Sequence, residues 1–486
     1  MENVQRIKKK SAKGLFWNLA SGGGAQMLEV VIGIFLARLL FPEEFGLIAM
    51  VMVFIAIGNT LREVGLSRAL IQKNEATESD FNTVFWINVL ISAVLAGALY
   101  FAAPLISRFY QTKEVISVAQ VLSLAFFLNG LFIVPKALLH RRLDFKKEAG
   151  VILSATLLSS TTALYLAWSG AGVKALIAKE LLLSGVYVLG YFVASSWFPT
   201  GGISKASFES LFEFSRNVTL SNIVRAVTAK LDNLIVGRAF GTDGLGFFNR
   251  AKKYSQIPNK TLIRQIGKTL YPVLSRLSDQ PKAFKNLYFD YAHFGLLVIS
   301  PIVLWVLLYA PEGIVLVLTD KWAPTAPLLQ ILILTCLFQG VSYAGSILMA
   351  LDQTHLHLRS NSVARTLSVL LLIAAATQNS VLLIAWASLF SVILEVSLMN
   401  HYALRAMKSN VLELLKRFQP TLLTITGLGF CLWGLRLAYP PSEALALIIH
   451  TFALFLLWIG AMYFLQRPLW NRLQNMIIQS RKKSES

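Results

Sequence analysis

GIFLARLLFPEEFGLIAM, residues Gly33–Met50, returns without gaps two hundred residues later as NLIVGRAFGTDGLGFFNR, residues Asn233–Arg250. Arg38 aligns with Arg238, Gly46 with Gly246, Glu43 with Asp243 and Ala37 with Gly237, and most other positions exchange one apolar residue for another. Apolar stretches match by chance more readily than mixed ones, so the aligned Arg and Gly carry the signal of an internal duplication. A duplicated membrane protein reads as a transporter, because two comparable halves provide a pathway and a way to open it alternately.

Working outward, the whole chain shares this apolar character. Of its 486 residues 55% are hydrophobic and 14% charged, with a mean hydropathy of +0.60, against about 25% charged in soluble globular proteins. The net charge of +20 sits in segments between apolar runs, which marks positive-inside topology and contact with anionic membrane lipids rather than nucleic acid. Cys336 and Cys431 both lie in apolar segments, and the six histidines have no metal-ligand spacing, so no metal site is expected. No GxSxG, Walker loop or dinucleotide fingerprint occurs, which argues against an enzyme and against direct ATP drive. The basic N-terminus runs into an apolar stretch without a cleavage signal and is expected to stay as the first span.

Runs of about 20 apolar residues predict fourteen spans: residues 15–37, 44–62, 83–103, 115–135, 149–168, 173–195, 214–236, 245–265, 291–310, 325–350, 362–378, 381–402, 420–438 and 444–465. Spans seven and eight are the least apolar, interrupted by Arg225, Lys230 and Asp232 and by Lys252, Lys253 and Lys260. With both termini cytoplasmic, the inner segments collect Lys8–Lys10, Lys13, Arg62, Arg68, Lys73, Lys136, Arg141, Arg142, Lys146, Lys147, Arg405, Lys408 and the basic tail, while the outer ones keep few cations. Omitting one span would reverse every later loop. The fold class is therefore an all-α integral membrane protein of about 14 transmembrane helices. The repeat boundary near Pro199–Gly202 divides it into a six-helix bundle at 1–200, a second at 201–410, and two further spans with a basic tail at 411–486. An even number of spans per half gives parallel repeats related by a pseudo-twofold axis along the membrane normal, with a pathway between the bundles.

Charges inside apolar spans are costly unless they pair or line a watery cavity. Arg62, Lys179, Arg225, Lys230, Lys252 and Lys253 are the candidate substrate contacts, because Arg and Lys supply charge-assisted donors to a diphosphate. Arg225 stands out, since Ser221, Arg225, Thr228 and Asp232 share one helical face. Pairing within the bundle and snorkelling are the structural readings of the same residues. Glu29, Glu180, Asp232 and Glu395 are candidates for proton or sodium coupling or for balancing a buried cation. Arg38 and Arg238, in comparable outer turns beside acidic residues suited to capping, read as architectural. Pro258 and Pro272 are expected to bend the helix in or after span eight.

The residues Lys13-Gly14, Trp17, Gln26, Ala37-Arg38, Pro42-Glu43, Phe45-Gly46, Gly237-Arg238, Gly246, Asn249-Arg250-Ala251, Pro258 and Tyr271–Arg276, in this order across fourteen spans, carry a resemblance covering nearly the whole chain. It resembles the polysaccharide transporters of the MOP exporter superfamily, the Wzx-type flippases, and particularly their colanic-acid exporter branch. The resemblance implies a MATE-like architecture in the bacterial inner membrane. It also implies export of undecaprenyl-diphosphate-linked oligosaccharide to the periplasmic leaflet, without a cofactor and alongside a polysaccharide polymerase and assembly proteins. The family pattern often places a Tyr where this chain has Phe247. An ion-coupled small-molecule exporter of the same superfamily and a non-transporting scaffold for polysaccharide assembly are the alternatives.

Overall fold

The apolar runs become helices and the polar gaps become turns. The computed structural model describes residues 2–62, 70–71, 73, 76–209, 228, 230–277, 279–441 and 444–465. No strand occurs among them, as expected where backbone polar groups must be satisfied inside each membrane-crossing segment. Twelve segments of the described residues are long and apolar enough to span a bilayer. Expected span seven falls mostly outside the described residues, with Ser221 and Arg225. Span eight is helical, but its Arg250, Lys252 and Lys253 keep it out of the apolar set.

The chain divides into two compact units, Met1–Gly246 and Phe247–Ser486. The first holds α1 (Glu2–Leu39), α2 (Pro42–Arg62), α3 (Glu78–Tyr110), α4 (Val115–Leu131), α5 (Ile133–Arg141), α6 (Phe145–Trp168), α7 (Val173–Ser195) and the start of α8 (Leu231–Pro258). Ile32 and Leu36 of α1 and Leu40 just after it pack on Ala163 and Ala167 of α6 and Ala175 and Leu176 of α7; the small residues let the helices approach closely, the usual means of packing where lipid removes the hydrophobic drive between helices. At α3, Thr77 and Asp80 form a reciprocal capping box: the Asp80 amide donates to Thr77 Oγ1 and the Thr77 amide to Asp80 Oδ2. Lys73 pairs with Asp80 at 2.8 Å. Arg141 donates to the Leu70 and Lys73 carbonyls and Arg142 to that of Ser195 at 2.7 Å. Several cations read as topology markers thus also tie helix ends together.

The duplicated stretch breaks its helix at the same place in both copies. In the first copy the helix breaks between Leu39 and Pro42, and the Phe41 amide donates to Glu44 Oε2 at 2.7 Å, so an acidic residue does cap the following helix. In the second copy the break is Gly241, whose φ of 67° and ψ of −160° lie where only glycine is comfortable. The two turns touch reciprocally. A Cβ on Gly46 would fall 1.8 Å from the Thr242 carbonyl oxygen, and one on Gly246 would fall 2.1 Å from that of Pro42.

The second unit begins with the end of α8, which widens after Pro258 into a π turn, Asn259–Ile263, before α9 (Arg264–Ser275). A proline withdraws a helical donor, and the wider turn accommodates the change. Then follow α10 (Pro281–Leu318), α11 (Thr325–Gly340), α12 (Ala344–Ala350), α13 (Thr354–Ala376), α14 (Val381–Ala406), α15 (Val411–Ala438) and α16 (Ala444–Leu465). Helices α10 and α15 run parallel, joined by a ladder of polar contacts: Lys285 to Glu413 at 2.8 Å, Asp290 to Arg417 at 2.9 Å, His293 to Thr421, the Tyr309 hydroxyl to the Leu432 carbonyl, and Glu312 to Arg436. Parallel running requires an even difference in span number, which the count of nine and thirteen provides.

Candidate functional site

In the first unit, Arg62 is the last residue of α2 and only 7% exposed. Its Nη1 donates to the Phe126 carbonyl at 3.2 Å, and its guanidinium lies 5.1 Å from the centre of the Phe126 ring. Both contacts hold a cation that the α2 sequence alone leaves at a helix end. The same Phe126 ring forms a wall of an apolar cavity of about 580 Å³ bounded by α2, α3, α4 and Leu234 of α8. Lys230 accepts the Leu234 amide through its carbonyl, so the half-buried Lys230 stands one helical turn from the cavity rim. Asp232, in the first turn of α8, is buried and its Oδ1 accepts the Asn233 amide at 2.8 Å.

Glu29 on α1 and Lys179 and Glu180 on α7 are all half-buried within their spans. Tyr187 follows Glu180 by about two turns along α7. Tyr187 in turn packs on Phe132, 5.4 Å between ring centres, and Phe132 stacks on Tyr191. Glu148 itself is engaged by His140 at 2.8 Å and Lys136 at 3.9 Å. Glu29 and Lys179 make no ion pair or hydrogen bond among the described residues. A half-exposed charge of this kind within a span needs water beside it.

In the second unit, Lys252 is half-buried with its ammonium 6.0 Å from the Phe248 ring, and Lys253 is exposed. Glu395, on α14, is half-buried and makes no ion pair or hydrogen bond among the described residues. Sequence reasoning placed Arg250 in a basic cluster with these lysines and missed its surroundings. Arg250 is 5% exposed and lies between Trp322, at 5.1 Å from the ring centre, and Tyr254, at 5.7 Å. Tyr254 follows at i+4 on the same helical face and was a legible partner; Trp322, in the 3-10 turn after α10, was not. The arrangement is an aromatic box around a guanidinium, which offsets the loss of water by cation–π attraction. The Phe247 ring meets Trp322 edge-on at 6.1 Å, so an apolar edge contact occupies the place where the family pattern often carries a hydroxyl.

With the charges placed, comparison with known proteins adds the family. The polysaccharide biosynthesis protein family matches residues 35–327. Lipopolysaccharide biosynthesis protein WzxC of Escherichia coli K12 is 25% identical over 363 residues, 73% of this chain and 73% of that protein. Among solved structures, the lipid II flippase MurJ in an inward closed conformation aligns with 94% of this chain and 99% of its own, at a TM-score of 0.75 and 15% identity. A multidrug resistance MATE family transporter in an inward-facing conformation aligns with 80% of this chain and 96% of its own, at a TM-score of 0.59 and 16% identity. These two likenesses show a shared all-α transporter fold.

Proposed function

Because the chain belongs to the polysaccharide biosynthesis protein family, we propose that it is a flippase that carries undecaprenyl-diphosphate-linked oligosaccharide from the cytoplasmic to the periplasmic leaflet of a bacterial inner membrane. Both termini stay in the cytoplasm, and the glycan passes on to a polysaccharide polymerase and its assembly proteins. The observation that carries the reading is the pair Glu29 and Lys179, half-buried charges within spans with no partner among the described residues. Such charges call for a hydrated path, and a hydrated path is what sugar hydroxyls need, since each unpaired polar group in hydrocarbon costs several kcal/mol. Arg62, Lys179, Arg225, Lys230, Lys252 and Lys253 supply the cations for the diphosphate, while the prenyl chain stays in lipid. Glu29, Glu180, Asp232 and Glu395 are the carboxylates from which proton or sodium coupling would be drawn.

Proteoliposomes loaded with lipid-linked glycan test this. The protein should move glycan from a protected to an enzyme-accessible leaflet, and the triple variant Lys179→Ala, Arg225→Ala, Lys230→Ala should slow that transfer at least roughly tenfold, the loss of about 1.4 kcal/mol of binding. Absence of transfer by the unaltered protein would dismiss the flippase reading, and full transfer by the triple variant would dismiss these cations.

A further inference from the structure

Helix α16 carries no Asp, Glu, Lys or Arg, and its one imidazole, His450, is fully buried. The ring's Nδ1 lies 3.0 Å from the Tyr309 hydroxyl of α10, which itself donates to the Leu432 carbonyl of α15 at 3.4 Å. A hydroxyl has a single proton and a carbonyl can only accept. The Tyr309 proton is therefore committed to Leu432, and His450 supplies the proton at Nδ1. That fixes the neutral ring as the tautomer whose Nε2 is a bare lone pair, and Nε2 is buried with no hydrogen-bond partner. One turn along α10 from Tyr309 stands Glu312. Its Oε1 accepts from Arg436 in the last turn of α15, and its Oε2 is likewise buried without a partner. Two buried acceptors around one tyrosine thus lack a proton that would satisfy both.

We propose that His450 and Glu312 form a proton-binding site, in which His450 Nε2 takes up a proton from the outer side and Glu312 Oε2 turns to accept the new hydrogen bond. A buried charge is held only when it is compensated, and the groups around the ring set the balance. From α10 come Tyr309 and Glu312. From α15 comes Arg436, whose guanidinium lies 5.8 Å from the centre of the Tyr309 ring, and just after α15 stands Tyr439, with its ring centre 6.3 Å from that of His450. Helix α16 adds no charge of its own. With His450 neutral, Glu312 balances Arg436 alone. With His450 charged, one carboxylate serves two cations, so the proton moves part of the tie between α10 and α15 into a new tie between α10 and α16. The cluster is within reach of protons: Arg436 and Glu312 are half-buried and Tyr439 is exposed, at the ends of α10 and α15 and the start of α16 on the side expected to be periplasmic. Arg436 repels the charged ring, so the site can give the proton up as well as hold it. In the flippase reading, on which this use of the site rests, the proton is the coupling ion.

The imidazole nitrogens report the proton directly. The full-length protein, with isotopically labelled histidine in phospholipid nanodiscs, is followed by NMR, and the His450→Gln variant identifies the His450 signals. Between roughly pH 8 and pH 5 the Nε2 signal should pass from that of a bare nitrogen to that of an N–H. Glu312→Gln keeps an oxygen for Arg436 and brings an amide N–H that can satisfy Nε2 without a charge, so in that variant the signal should stay still. Monodisperse elution of the variants secures the comparison against misfolding. A Nε2 signal that does not move in the unaltered protein, or that moves alike in Glu312→Gln, would overturn the proposal. In proteoliposomes, acidifying the outer side should speed glycan transfer at least roughly fivefold, and His450→Gln should remove that response. An undiminished response in His450→Gln would place the coupling proton elsewhere and overturn the proposal as well. Absence of transfer by the unaltered protein under any gradient, with the Nε2 signal still responding to pH, would instead remove the flippase reading and leave the proton site standing.

Discussion

In the first copy of the repeated turn Leu36 and Ala37 are buried, Arg38 and Leu39 exposed, Glu43 exposed and Gly46 buried; in the second, Val236 and Gly237 are buried, Arg238 and Ala239 exposed, Asp243 exposed and Gly246 buried. The agreement is confined to these positions: Leu40 and Pro42 are buried where Phe240 and Thr242 are half-buried, and Phe45 is half-buried where Leu245 is buried. Met50 and Arg250 are both buried, but one is an apolar side chain in an apolar core and the other a cation between Trp322 and Tyr254. Duplication kept the exposed Arg and the buried Gly of the turn, and the copies diverged in what they bury around them. Divergence at a buried position requires new partners, which Trp322 and Tyr254 supply to Arg250. A difference at residue 37 follows the same logic: Ala37 is matched by Gly237, where the Tyr110 ring lies 2.7 Å from the place a Cβ would take.

The largest effect should come from forcing the first copy to resemble the second. Met50→Arg puts a guanidinium into a fully buried apolar site, and an uncompensated buried charge costs about 3–5 kcal/mol. The variant should fail to give folded protein in detergent, judged by size-exclusion profile. A monodisperse protein of unaltered melting temperature would mean that the first copy has room for a cation and that the difference between the copies is accidental.

Next comes the contact that the copies share. Gly46→Val places a branched side chain where even a Cβ would sit 1.8 Å from the Thr242 carbonyl oxygen, so the turns must separate, at a cost of about 1–3 kcal/mol typical of overpacking. Gly246→Ala should act in the same direction against Pro42. Because both strain one contact, the double variant Gly46→Ala, Gly246→Ala should lose less in thermal unfolding than the sum of the single variants. Strict additivity would show that the two close approaches are independent.

Much of this was legible. The aligned Arg and Gly announced the turns, the acidic residues announced a cap that Glu44 supplies, and hydropathy announced the twelve apolar spans found among the described residues. Local signals of this sort depend on neighbours within a helical turn or two. What escaped was assembled from distant segments. The Arg250 box needs Trp322, and the groove beside Arg62 takes residues from α2, α3, α4 and α8. Apolar residues that line a groove and apolar residues that face lipid have the same composition, so no count along the chain distinguishes them. Arg225, the strongest sequence candidate, lies outside the described residues, and its role rests on the transfer assay.

Converting the second copy to the first is the milder exchange. Arg250→Met removes a cation but supplies a side chain of similar reach, and apolar replacement of a buried charge is often close to neutral. The loss of two ring contacts should cost about 1–2 kcal/mol, read as a modest fall in melting temperature, with the Trp322 emission changed because the guanidinium no longer covers the ring. Arg250→Lys should lose a similar amount, since an ammonium lacks the flat face that lies between the rings. If Arg250→Met melts as the unaltered protein does while glycan transfer collapses, the box holds the cation for substrate rather than for the fold.

The smallest effects belong to the residues that first drew attention to the repeat. Arg38 and Arg238 are both exposed at the outer turns, where an exposed charge contributes little because solvent screens it. Arg38→Gln and Arg238→Gln should each change stability by no more than about 0.5 kcal/mol and leave transfer within twofold of the unaltered rate. Their recurrence then reflects the turn they share. A selective fall in transfer from one of the two, at unchanged stability, would make that Arg a substrate contact and move the functional difference between the copies from the buried pair, Met50 and Arg250, to the exposed one.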